Sequence, residues 1–137
     1  MNIKKRSRKT GRGGSIQSFA GIPRHVMRSK SFRSLTSSAI RVLIWLAFEY
    51  RGKNNGDLAA THKLAVGWGI RAKDTLTAAL RELIAEGMII KTREGQFINP
   101  GSECALYALT WAPIDECPGK NLEVSCTRTP PRIHWET

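Results

Sequence analysis

Apolar residues recur at threes and fours through "RAKDTLTAALRELIAEG", at Leu76, Ala79, Leu80, Leu83 and Ile84, and the pattern stops at Gly87. That spacing keeps the side chains on one face of an α-helix and predicts a helix over 72–86. A strand-like run, 88–93, follows at once. Upstream, "SSAIRVLIWLAFEYRG" carries Ala39, Ile40, Leu43, Ile44, Leu46, Ala47 and Tyr50 on more than one face, the pattern of a central, mostly buried helix. Thr36 or Ser37 is placed to cap it and Gly52 to stop it. Turn residues Asn54, Asn55 and Gly56 lead into a brief extended stretch, 57–60, and Thr61 caps a short helix over 62–66 that ends near Gly67. Trp68 lies between two glycines in a tight turn and is expected to be partly exposed.

The flanks complete the order. Pro23 suits the start of a short helix, with Phe32 and Leu35 as core anchors after it. Beyond the first strand, Gly95, Asn99, Pro100 and Gly101 make 94–103 a loop, and "CALYALTW" is a second strand over 104–111. Helix, short strand, helix, turn, helix, strand, loop, strand is the order of an α+β winged helix-turn-helix, a three-helix core with a β wing of two or three strands. The domain spans 18–112, behind a polar arm over 1–17 and ahead of an irregular, Pro-rich extension over 113–137 with Ile114, Leu122, Val124 or Trp135 as candidate anchors.

Charge changes the picture of the arm. The chain has 137 residues and a net charge of +11. Its first carboxylate is Glu49, and ten cations stand in the chain up to Arg33: Lys4, Lys5, Arg6, Arg8, Lys9, Arg12, Arg24, Arg28, Lys30 and Arg33. From 34 onward, 12 Lys and Arg face 11 Asp and Glu. Such a segregated charge points to a polyanionic partner, because every phosphate neutralised releases condensed counterions. The first fifteen residues have too few apolar side chains to offset the entropy of ordering and are expected to be disordered until they bind.

Other classes recede. No apolar run approaches the ~20 residues of a membrane span, no apolar segment follows the charged start as in a secretory signal, and a cytoplasmic, nucleoid-associated protein is expected. Cys104, Cys117 and Cys126, with His25, His62 and His134, form no metal-ligand spacing, so neither metal nor cofactor is expected. No nucleophile elbow, phosphate loop or paired carboxylates stand in the chain, which argues against an enzyme. Trp45, Trp111 and Trp135 read as packing residues.

A helix-turn-helix sends its second helix into the DNA major groove. With Leu76, Leu80 and Leu83 turned inward, Lys73, Thr75, Thr77, Ala78 and Arg81 face outward, with Arg71 just before them. Arg and Lys pair with guanine, and Thr meets a phosphate or a thymine methyl. Asp74 suits the helix start or a cytosine contact, and Glu82 and Glu86 read as ordinary solvated surface. Lys91 and Arg93 on the wing strand, with Gln96 and Asn99 in its loop, are placed to grip backbone, as are Lys4, Lys5, Arg6, Arg8, Lys9 and Arg12 of the arm.

"LTSSAIRVLIWLAFEYRGKNNGDLAAT", "GWGIRAKDTLTAALRELIAEGMIIKTREG" and "CALYALTWAPIDEC" resemble small winged helix-turn-helix proteins of bacterial chromosomes, phages and integrated elements, over residues 18 to 120. The "NNG" turn and the helix before it are also similar to the DNA-binding domains of plasmid and phage replication proteins. The resemblance implies a double-stranded DNA-binding protein, a transcriptional regulator or a replication accessory factor of a mobile element. A homodimer or another replication or transcription protein is the further partner it leaves open. Where the family pattern has Ser, this chain has Ala72, which offers no oxygen to cap the reading helix. The competing expectation is a protein-interaction winged helix with a basic tether for RNA or other nucleic acid. A weaker third is single-strand or RNA binding through the arm and exposed aromatics.

Overall fold

A computed structural model describes residues 17–97, 102–131 and 135. The expected disorder of the arm, its six cations and the loop residue Asn99 lie outside that range. In chain order, helices α1 (Arg24–Arg28), α2 (Lys30–Arg33) and α3 (Ser37–Glu49) precede strand β1 (Leu58–Ala59), and helices α4 (His62–Gly67) and α5 (Lys73–Ala85) precede strands β2 (Ile89–Arg93), β3 (Gln96–Phe97), β4 (Ser102–Glu103) and β5 (Leu106–Leu109). Among the described residues the architecture is α+β, five helices with a three-stranded antiparallel sheet of order β1-β5-β2, and it is compatible with a winged helix.

The short helices at the start arise from Pro23 and Ser29. The Pro23 carbonyl accepts from Val26 N and Met27 N, and Ser29 ends α1 by donating its backbone N–H to Val26 O. The same Ser29 begins α2, its hydroxyl accepting from Phe32 N at 3.1 Å while donating to Val26 O at 2.6 Å. One residue thus closes one helix and caps the next, where the sequence pattern predicts a single short helix. Phe32 and Leu35 are buried in the core, in line with their spacing.

Thr36 caps α3, its hydroxyl accepting from Ala39 N. Ala39, Val42, Leu43, Leu46 and Ala47 line the buried face. The helix is less enclosed than its sequence pattern suggests: Ile44, part of that pattern, is 48% exposed, and Phe48, outside it, is 55% exposed. It ends at Glu49, before Gly52, because Asn54 bridges the terminus, its amide donating to Glu49 O and its carbonyl accepting from Arg51 N. Thr61 caps α4 through Leu64 N. Ala72 makes no side-chain cap to α5, in keeping with its missing hydroxyl. Gly87, at φ 75°, closes α5 by letting Met88 N reach Leu83 O at 2.9 Å.

The central strand β5 pairs with β1 at Leu58↔Tyr107 and with β2 at Ile89↔Leu109. Between Lys91 and Arg93 the register slips, so Lys91 faces Tyr107 while Arg93 faces Leu106. Thr92 is the additional residue of this bulge, and its buried hydroxyl donates to Gly56 O at 2.6 Å. The stretch expected as a plain loop carries its own ladder, Gln96↔Glu103 and Phe97↔Ser102.

Asn55 ties the sheet to the C-terminal extension. Fully buried, its amide donates to the carbonyls of Leu109, Ala112 and Pro113 at 2.9, 3.1 and 2.9 Å, and its Oδ1 accepts from Leu109 N at 2.7 Å. The extension contains neither helix nor strand among its described residues, as expected, yet it is well anchored. Glu123 N donates to Thr92 O on the outer edge of β2, Ile114 is buried, and Trp135 Nε1 donates to Gly87 O at 2.8 Å. The Glu123 bond satisfies one backbone carbonyl that an uncovered edge would leave open.

Candidate nucleic-acid interface

Leu76, Ala79 and Leu83 bury one face of α5 against the core formed with α3. At about 100° per residue, the line directly opposite is Asp74, Thr77, Ala78 and Arg81, with Lys73 and Thr75 on its two sides. All six are exposed. Among the described residues, no hydrogen bond or ion pair holds the side chains of Lys73, Thr75, Thr77 or Arg81, nor that of Arg71. The helix therefore presents a narrow polar face on a rigid support.

The turn ahead of it is fixed from three sides. His62 Nε2 lies 2.8 Å from Arg71 O, which ties the first turn of α4 to the residue before the α5 start. Arg41 Nη1 donates to Trp68 O at 3.1 Å. Trp68 itself is only 7% exposed and stacks on Trp45, ring centroids 6.2 Å apart and nearly parallel, which corrects the expectation of partial exposure. Gly69, at φ 92°, is required here: a Cβ would stand 3.1 Å from Arg41 Nη1 in a backbone conformation that side chains rarely adopt. Neither Arg41 nor His62 carries a sequence signal for this role, since each bond depends on where α3 and α4 pack.

Glu82 departs from the solvated surface expected of it. Its carboxylate accepts from Thr36 N and from Thr36 Oγ1, both at 2.7 Å, at the N-terminus of α3. A negative charge there complements the helix dipole and takes up an orphan N–H. The acidic share of the exposed α5 surface falls accordingly to Asp74 and the half-buried Glu86, against Arg71, Lys73 and Arg81.

On the wing, Lys91 is exposed and pairs with Glu94 at 3.2 Å. Arg93 does not belong with it. Strand alternation alone puts the two on one face, but the bulge at Thr92 turns Arg93 inward, to 7% exposure. Its guanidinium donates to Cys104 O from Nε and Nη2 and to Lys120 O from Nη1, and lies 3.7 Å from Glu103. Arg93 is a staple between the wing and the extension, out of reach of a duplex laid on the surface.

No family model, curated protein or solved structure matched this chain. The site therefore rests on its own geometry. Among the described residues no group of three His, Cys, Asp or Glu could hold a metal ion, and no helix is long and apolar enough to cross a membrane. Burial, helped by the Asp57 and Asp115 carboxylates and opposed by Lys120, pushes the Cys117 thiol up, so it is a poor nucleophile at neutral pH.

Proposed function

We propose that the protein is a winged helix-turn-helix binder of double-stranded DNA, a transcriptional regulator or replication accessory factor of a phage or mobile element working at the nucleoid. In this reading α4, the Trp68 turn and α5 are the helix-turn-helix, and β2 to β5 the wing. One observation carries it: α5 is anchored by Leu76, Ala79 and Leu83 while Thr77, Arg81, Lys73 and Thr75 stand exposed on the other side. Those types give paired hydrogen bonds to guanine and contacts to thymine methyls or phosphates, and Asp74 accepts from a cytosine amine. The arm's six cations supply affinity without sequence information, with Lys91 as the wing's remaining phosphate contact. No step here requires a cofactor or a bond-making group.

The test is selection of bound sequences from a random duplex library, with the full chain and with a chain lacking residues 1–15. A consensus that survives arm removal and is lost in Arg71→Ala, Lys73→Ala or Arg81→Ala supports the reading. Retention of salt-sensitive binding with no consensus refutes the role of α5.

The exposed Ile44 and Phe48 favour a second reading, a protein-interaction module with a basic tether. Phe48 also lines an open groove of about 950 Å³ with Phe19, Ile22, Tyr50 and Trp111. Under that reading arm removal abolishes nucleic-acid binding and substitutions on α5 have no effect on it.

A further inference from the structure

Four of the ten cations up to Arg33 are built into folded structure: Arg24 and Arg28 on α1, Lys30 and Arg33 on α2. Arg24, Arg28 and Arg33 are all exposed. Arg24 and Arg28 are four apart and so share one side of α1. Among the described residues their side chains make no hydrogen bond or ion pair, and Arg33 makes one, from Nε to Ser29 O at 3.4 Å. The whole segment from 17 to 48 has no carboxylate to balance them.

Two contacts locate these helices. Thr36, three residues beyond Arg33, is bound to Glu82 of α5, the neighbour of the exposed Arg81. Three residues span at most about 11 Å, which keeps Arg33 near that contact. At the other end, His25 of α1 packs on Trp135, ring centroids 5.6 Å apart, and Trp135 donates to Gly87 O just past the end of α5. The basic helices therefore lie beside the C-terminal half of α5, the half that leaves the groove when the N-terminal half is inserted.

We propose that Arg24, Arg28 and Arg33 form a second phosphate-binding surface that grips the DNA strand bordering the groove at the C-terminal end of α5. The inference rests on the duplex-binding reading and extends it: part of the sequence-independent affinity is carried by the folded domain, held in register with the reading helix by Glu82–Thr36 and by Trp135. The competing role for cations near the end of α5 is to stabilise the helix by complementing its dipole. That stabilisation alone would leave the salt dependence of binding untouched.

The measurement is the affinity of the full chain for a 30-base-pair duplex of mixed sequence against salt, for the natural protein and for R24Q/R28Q/R33Q. Each lost phosphate contact lowers the slope of log K against log salt by about 0.9, so the triple variant is expected to be shallower by roughly 2.7. R24K/R28K/R33K should restore the slope. R24Q/R28Q spares the Ser29 contact, so it tests the same idea if the triple variant does not fold, with an expected loss of roughly 1.8. An unchanged slope in a folded Gln variant overturns the inference and leaves the duplex reading standing. Loss of binding to phosphatidylserine vesicles with no change on duplex also overturns it, and assigns the surface to a membrane. A full chain that binds no duplex at any salt overturns the duplex reading and this inference together.

Discussion

Replacing Asn55 should cost more than any surface substitution in the chain. Its side chain is fully buried and serves four backbone groups: the Leu109 N–H and the carbonyls of Leu109, Ala112 and Pro113. Asn55→Ala strands the buried Leu109 N–H and Ala112 carbonyl and leaves the part-buried Pro113 carbonyl without its partner. At about 1–3 kcal/mol for each buried group left unmet, and allowing for relaxation, the loss comes to about 3–5 kcal/mol. A domain of this kind has a total stability of about 5–15 kcal/mol, so the variant should remain folded but marginal, with a midpoint lowered by roughly 10–20 °C. Asn55→Asp separates donor from acceptor. It keeps an oxygen for Leu109 N but turns a carboxylate on three carbonyls, so at neutral pH it should be worse than Ala. Protonation gives it one donor, so its deficit should shrink as pH falls, the direction required when the folded form binds the proton more tightly. Urea unfolding followed by tryptophan fluorescence measures both variants. A loss under about 1 kcal/mol for N55A, or an N55D as stable as the natural protein at pH 7, would refute the reasoning.

Other sites yield three further outcomes. Ala72→Ser supplies the missing cap at a residue already extended, φ −88° and ψ 132°, and should stabilise the protein by about 1 kcal/mol in the same urea titration. Glu82→Gln weakens both bonds to Thr36 and removes the charge at the start of α3; a loss of about 1 kcal/mol is expected, and a Thr36→Val background should remove only the part carried by the hydroxyl in a double-mutant cycle, the backbone N–H bond remaining. Burial pushes the Glu49 carboxyl up, with Asp57 adding to it and the hydrogen bond from Ala59 N opposing. A raised carboxyl pKa means the ionised form is penalised in the fold, so stability falls as pH rises through that window. Glu49→Gln should therefore gain on the natural protein at pH 7 and lose that advantage in acid, a comparison thermal melts across pH can make.

Helices α3, α4 and α5 are legible in the sequence because their signals are local. Thr36, Thr61 and Gly87 announce α3, α4 and the end of α5, and the spacing of Leu76, Ala79 and Leu83 is itself the buried stripe of α5. The features that escape depend on residues far apart in the chain. Asn55 reads as one more turn former, yet its role is set by partners 54 to 58 positions away. Glu82 reads as solvated until α3 is packed beside it, 46 residues distant. Arg93 escapes for a different reason: strand alternation holds only while the register is unbroken, and nothing in "IIKTREG" marks Thr92 as the extra residue. Ile44 reads as core because it falls in the apolar pattern, and only the packed helix shows which apolar side chains the core has room for.

The strand order has a consequence for how the molecule is made. β5, the middle of the sheet, is the last of its three strands in the chain, and among the described residues β1 and β2 each pair only with it. A nascent chain that has emerged as far as Arg93 holds all five helices and two strands with nothing between them. No partial sheet exists to be built on, so β1 waits through nearly fifty residues of synthesis for Leu58 to meet Tyr107. Closure of that long loop, and with it the burial of Asn55, is expected to set the pace at which the sheet forms.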